Sequence, residues 1–154
     1  MDIWRELIEE YGDVGVELSL ADFIKQLYQF EKRNKAKAYI ETLKSFKHVV
    51  PEKDKILLIY DTEYNCIRAY MLFNHYEDTT FDELTRFINV LMTALQLDPD
   101  EVNIYYCSWR EQALILSIII PIGKYCTHIW YYVMKRYFPE FPSPEEIEAR
   151  CYEF

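Results

Sequence analysis

Along the chain the apolar positions change their period, and each change marks a different kind of element. Through the first 50 residues they recur every three or four positions, the spacing that places side chains on one face of a helix. Ile3, Trp4, Leu7 and Ile8 share such a face over residues 2–11, before Gly12 to Gly15 break the pattern. Ser19-Leu20-Ala21-Asp22 then supplies an N-cap oxygen with an acid three positions on. It opens a second stripe of Leu20, Phe23, Ile24, Leu27 and Phe30. The stripe resumes at Ala36, Tyr39, Ile40, Leu43 and Phe46. The polar gap from Glu31 to Lys35 fits one long helix to Lys47 or two helices with a turn near Asn34. Pro51 stops the segment, because proline drives its predecessor out of the α region.

Beyond Pro51 the runs become short and rich in aliphatic residues. Lys55–Tyr60 and Cys66–Phe73 read as strands joined by a polar hairpin turn over Asp61–Asn65. Thr80-Phe81-Asp82-Glu83 has the form of a capping box, followed by Leu84, Phe87, Ile88, Leu91, Met92 and Leu95 at helical spacing. Asp98-Pro99-Asp100 ends that helix as a turn. The order then repeats. Val102–Cys107 and Ala113–Ile120 read as strands around a turn at Ser108–Gln112. A helix carrying Ile122, Tyr125, Cys126, Ile129, Trp130, Val133, Met134 and Tyr137 on one face follows. Pro139 and Pro142 break it, and Ser143-Pro144-Glu145-Glu146 opens a short terminal helix over 143–152.

The pattern predicts an α+β fold in one domain over 1–154. A helical N-terminal segment (1–50) precedes two ββα units (55–138) that form a mainly antiparallel four-stranded sheet. The most apolar stretch, Ala113–Gly123, is interrupted by Pro121 and followed by Lys124 and His128, far short of the roughly 20 apolar residues a membrane span requires. Its eight-residue run Ala113–Ile120, rich in β-branched Ile and bounded by a polar turn and Pro121, instead fits an interior strand covered on both faces. With the ββα helices on one face, the other would be covered by the helices of 19–48 or left open for docking, with Ile115 and Ile119 as candidate contacts.

Charge adds one feature. The chain of 154 residues has a net charge of −9, which disfavours wholesale binding to nucleic acid or to anionic membrane. Residues 25–55 nevertheless hold nine Lys and Arg against four Asp and Glu, so this segment is +5 and the remainder −14. Lys32, Arg33, Lys35 and Lys37 are its densest part and the candidates for contact with an acidic partner, a second copy of the chain included. The same four would also serve a nucleic-acid-binding module. Fourteen Tyr, with rings both apolar and polar-tipped, suit an interface.

Candidate chemistry is sparse. The Gly-rich phosphate loops, the nucleophile elbow and the His-Glu-x-x-His zinc motif are all absent, and three glycines leave little room for a phosphate cradle. No cofactor or metal is expected. The most enzyme-like string is Ile56-Leu57-Leu58-Ile59-Tyr60-Asp61-Thr62-Glu63. Its Asp-x-Glu at a strand end resembles the first motif of DEDD-type 3′–5′ exonucleases, whose carboxylates hold divalent metals. Only Asp61 and Glu63 match, and the late Asp of that family has no counterpart after Asp100. A polar hairpin turn after an exposed strand end explains Asp61 better. His75, Glu77 and Asp78 precede a helix start, where acids are favoured, and Cys126-x-His128 lacks an orienting partner. Cys66, Cys107, Cys126 and Cys151 are far apart, which suits reduced thiols in a cytoplasmic protein better than a disulfide framework in a secreted one. The N-terminus lacks the charge and apolar pattern of a signal peptide.

The order hairpin, helix, hairpin, helix over 55–138 is similar to the N-terminal α/β-sandwich domain of the TNF-receptor-associated death-domain adaptor (TRADD). The resemblance implies a sandwich that docks a partner through its sheet, and it carries over no individual residue. The 50-residue helical N-terminus departs from it. The reading is therefore a non-catalytic protein–protein interaction module, regulatory, adaptor-like or host-directed, able to form homo-oligomers. A metal-dependent nuclease using Asp61 and Glu63 is the enzymatic alternative.

Overall fold

A computed structural model of the chain describes residues 3–11, 13–47, 49, 54–73, 81–98, 103–110, 113–121, 129–142 and 145–146. In chain order the elements are α1 (Ile3–Tyr11), β1 (Gly15–Ser19), α2 (Leu20–Leu27), α3 (Lys35–Lys44), β2 (Lys55–Asp61) and β3 (Cys66–Phe73). They continue with α4 (Phe81–Ala94), β4 (Asn103–Arg110), β5 (Ala113–Pro121) and α5 (Ile129–Tyr137). The strands form one sheet in the order β1-β2-β3-β5-β4, with every neighbouring pair antiparallel. The two ββα units, β2-β3-α4 and β4-β5-α5, are those expected, and their four strands are adjacent. A fifth strand, β1, extends the sheet at the β2 edge, where the sequence reading has only a break. Its alternation covers just Val16, Glu17 and Leu18, too few positions to stand out beside two glycines. Pairing with β2, Gly15 against Ile59 through Ser19 against Lys55, is what makes it a strand.

The two faces follow from the strand period of two. Ile56, Leu58, Tyr60, Ile67, Ala69, Met71, Phe73, Leu116, Ile118 and Ile120 all turn to one side. There α2, α3, α4 and α5 cover them with Phe23, Ile40, Phe87, Leu91, Trp130 and Val133. The helices of 19–48 thus pack on the same face as the ββα helices, not on the opposite one. The second face is covered by α1, whose Trp4 and Leu7 join Leu57, Ile59, Tyr70, Leu72 and Ile115 in a smaller cluster, with Ile8 and Tyr11 packed against it. Burying each such aliphatic or aromatic side chain is worth about 1.5–3 kcal/mol, enough for a nine-residue helix to dock but not to fold alone. Close approach is required at the junction: a Cβ on Gly15 would lie 2.9 Å from the Tyr11 carbonyl oxygen and 3.1 Å from that of Leu58.

The segment 20–44 is two helices. α2 starts on Ser19, whose Oγ accepts from the Asp22 N–H at 3.3 Å and donates to Asp54 Oδ2 at 2.8 Å. α3 starts on Asn34, whose Oδ1 accepts from the Lys37 N–H. β5 is an interior strand between β3 and β4, as its composition suggests, and its residues Ile115–Ile118 and Ile120 are buried. β4 continues through Arg110, so Ser108–Arg110 pair with β5 where a turn is expected. The capping residue Thr80, the loop residues His75, Glu77 and Asp78, the residues Ile122–His128 and most of 143–152 lie outside the described residues. Among the described residues no helix is long and apolar enough to cross a membrane.

Candidate docking surface

The basic residues gather where α2 ends. α2 stops at Leu27 because the next apolar side chain, Tyr28, turns into the core: it is buried, and its hydroxyl donates to the Thr93 carbonyl at 3.3 Å. Its ring packs on Tyr39 at 5.6 Å, and burial raises its pKa to about 12, with Tyr39 adding to the shift. The surrounding chain is held from two sides. Gln96 Nε2 donates to the Leu27 carbonyl at 3.2 Å, and Arg136 Nη2 donates to Gln29 Oε1 at 2.6 Å. Gln26 also hydrogen-bonds Tyr137. The turn beyond is closed by the Glu31 N–H on the Tyr28 carbonyl (3.0 Å) and the Lys35 N–H on the Arg33 carbonyl (2.8 Å).

Phe30 therefore leaves the helical stripe to which its spacing assigns it. It is 73% exposed at the tip of the turn, beside Glu31, Lys32, Arg33 and Lys35. The sequence signal was present: five consecutive polar residues after Phe30 imply a chain leaving the core. Lys35 pairs with Glu31 at 3.4 Å, an exposed contact of small energetic weight. Lys32, Arg33 and Lys37 are exposed and make no ion pair among the described residues. An exposed aromatic side chain followed along the turn by cations can bury apolar area in a partner while the charges select an acidic one.

The other candidates are placed differently. Ile115 is buried at 7% exposure in the cluster under α1, which removes it as a docking residue. Ile119 lies on the same face, half-buried, opposite Arg68 on β3. Asp61 organises the β2–β3 hairpin. Its Oδ1 accepts from the N–H groups of Glu63 and Tyr64, both at 3.1 Å, and its Oδ2 accepts from Arg68 Nε at 2.9 Å. Asn65 completes the turn at φ 49°, a left-handed conformation Asn tolerates. The Arg68 guanidinium also lies over the Tyr64 ring, 5.7 Å from its centroid. Glu63 is exposed, and no group of three His, Cys, Asp or Glu side chains converges among the described residues. Cys66, at the start of β3, is a free buried thiol whose pKa is pushed up by burial. Compared with known protein families, with curated proteins and with solved structures, the chain finds no match.

Proposed function

We propose that the chain is a non-catalytic protein–protein interaction module whose docking surface is the α2–α3 turn, and whose partner presents acidic side chains around an apolar spot. The observation that carries this reading is the exposed Phe30 beside three cations that make no ion pair among the described residues, on a turn tied down by Gln96 and Arg136. Such pre-organisation lowers the ordering cost of binding, which otherwise takes up about 0.5–1.5 kcal/mol per immobilised side chain. The order of elements shared with the TRADD sandwich supports an adaptor or host-directed regulatory role. The buried free thiol of Cys66 suits the cytoplasm. The net charge of −9 weighs against nucleic acid, the most densely charged acidic partner.

The test compares the parent chain with a variant carrying Phe30→Ser, Lys32→Glu, Arg33→Glu and Lys37→Glu, each as bait in affinity capture with quantitative mass spectrometry. Proteins enriched on the parent, resistant to nuclease treatment and lost from the variant support the reading. Identical profiles, or capture abolished by nuclease, sink it.

A further inference from the structure

Two helix ends in this chain carry the charge that their own dipoles disfavour. A helix presents about half a positive charge at its N-terminus and half a negative charge at its C-terminus, so acids suit the first turn and bases the last. α3 begins with Lys35 and Lys37 and has no acid in its first turn. α1 ends with Glu9 and Glu10, followed by Asp13, and has no base in its last turn. Each end is also marked by an exposed apolar side chain: Phe30 (73%) beside the basic end and Val14 (58%) beside the acidic one. Only Tyr64 and Tyr132 are the other large hydrophobics so exposed among the described residues.

The two ends cannot meet within one chain. α3 packs on one face of the sheet and α1 on the other. They can meet between chains, and we infer that the partner of the α2–α3 turn is a second copy of this protein, bound through the C-terminal end of its α1. Lys32, Arg33, Lys35 and Lys37 would then face Glu9, Glu10 and Asp13, with Phe30 against Val14. The contact is heterologous, because the two surfaces differ and lie on opposite faces. Each copy therefore keeps one basic and one acidic end free, and association runs head to tail. The existing neutralisation at the acidic end is weak: Arg5 and Glu9 pair at 3.5 Å with side chains 79% and 70% exposed.

This inference rests on the docking role proposed for the α2–α3 turn and names its partner. Sedimentation velocity over a range of protein and salt concentrations tests it, using the parent, a basic-end variant (Lys32→Gln, Arg33→Gln, Lys37→Gln) and an acidic-end variant (Glu9→Gln, Glu10→Gln, Asp13→Asn), neutralised rather than reversed so that the two altered ends do not attract each other. Circular dichroism confirms that each is folded. The parent is expected to associate with rising concentration and to dissociate with salt, and each variant alone to associate at least about tenfold more weakly. An equimolar mixture of the variants is the decisive arm. The acidic end of the first and the basic end of the second are intact, so the mixture should form dimers that grow no further. A parent that stays monomeric, variants that associate as the parent does, or a mixture that stays monomeric or grows beyond dimers overturns the head-to-tail contact. If a foreign protein is still captured in a manner dependent on Phe30, Lys32, Arg33 and Lys37, only the identity of the partner is wrong. If neither is seen, the docking role falls as well.

Discussion

Replacing Asp61 separates a carboxylate that holds a turn from one that holds a metal. In the folded chain its two oxygens accept from the Glu63 and Tyr64 N–H groups and from Arg68 Nε at 2.9 Å, with the Arg68 and Asp61 side chains only 28% and 19% exposed. A hydrogen bond to a charged group contributes about 1.5–3 kcal/mol, and partial exposure here favours the lower end. The two turn N–H groups lie at the surface and can bind water instead, adding about 0.5–1 kcal/mol for the lost pre-organised bonds. Asp61→Ala should thus destabilise by about 2–2.5 kcal/mol, lowering Tm by roughly 4–10 °C for a domain of this size. Asp61→Asn keeps one oxygen, which can serve either the turn or Arg68, and should cost about 1.5 kcal/mol. Glu63→Gln, exposed and uninvolved, should remain within about 0.5 kcal/mol of the parent. Urea unfolding followed by circular dichroism measures all three. An Asp61→Ala protein as stable as the parent would refute the turn argument. Divalent-metal-dependent nuclease turnover abolished by that same change would restore the enzymatic alternative.

Trp130 Nε1 donates to the Leu95 carbonyl at 2.8 Å, whereas Trp4 Nε1 is buried without a partner among the described residues. Trp130→Phe should therefore cost about 1–3 kcal/mol more than Trp4→Phe, as read by denaturant midpoints. Equal losses would mean that the Trp4 indole is satisfied in solution. Gly15→Ala forces a methyl against two backbone carbonyls and Leu57 Cδ1, and calorimetry should show a loss of about 1–3 kcal/mol with α1 the first part to loosen in hydrogen exchange. Burial, with help from Tyr70, raises the pKa of Tyr11 to about 12, and burial does the same for Tyr28. A tyrosine whose folded pKa exceeds its unfolded value of about 10 stabilises the fold fully below pH 10, and this contribution is lost as pH rises toward 12. Tyr11→Phe should flatten that alkaline decline. An unchanged slope would place the Tyr11 hydroxyl in water.

Much of the fold was legible because local pattern and final environment agreed. The period of 3.6 on α4 and the unbroken aliphatic run of β5 each reflect the surface they bury, so composition along the chain reports it directly. The turn at Asn34 was legible as one of two alternatives, since a polar gap can be a helix surface or a break. Asp61 was legible as a turn acid by type, and its bond to Arg68 becomes visible only once β2 and β3 pair in register.

By itself, then, the sequence determined the α+β class, the two ββα units, the interior position of β5 and the basic segment, since each depends on periodicity or charge within a single stretch of chain. Only the tertiary structure decided that Gly15–Ser19 is an edge strand, that α1 rather than α2 and α3 covers the second face, and that Phe30 stands exposed among the cations. Each of these turns on which distant segments meet. A stripe of apolar residues records how much surface an element must bury. It does not record which face of the sheet will bury it, because both faces of β2, β3 and β5 are apolar and either could have received the helices.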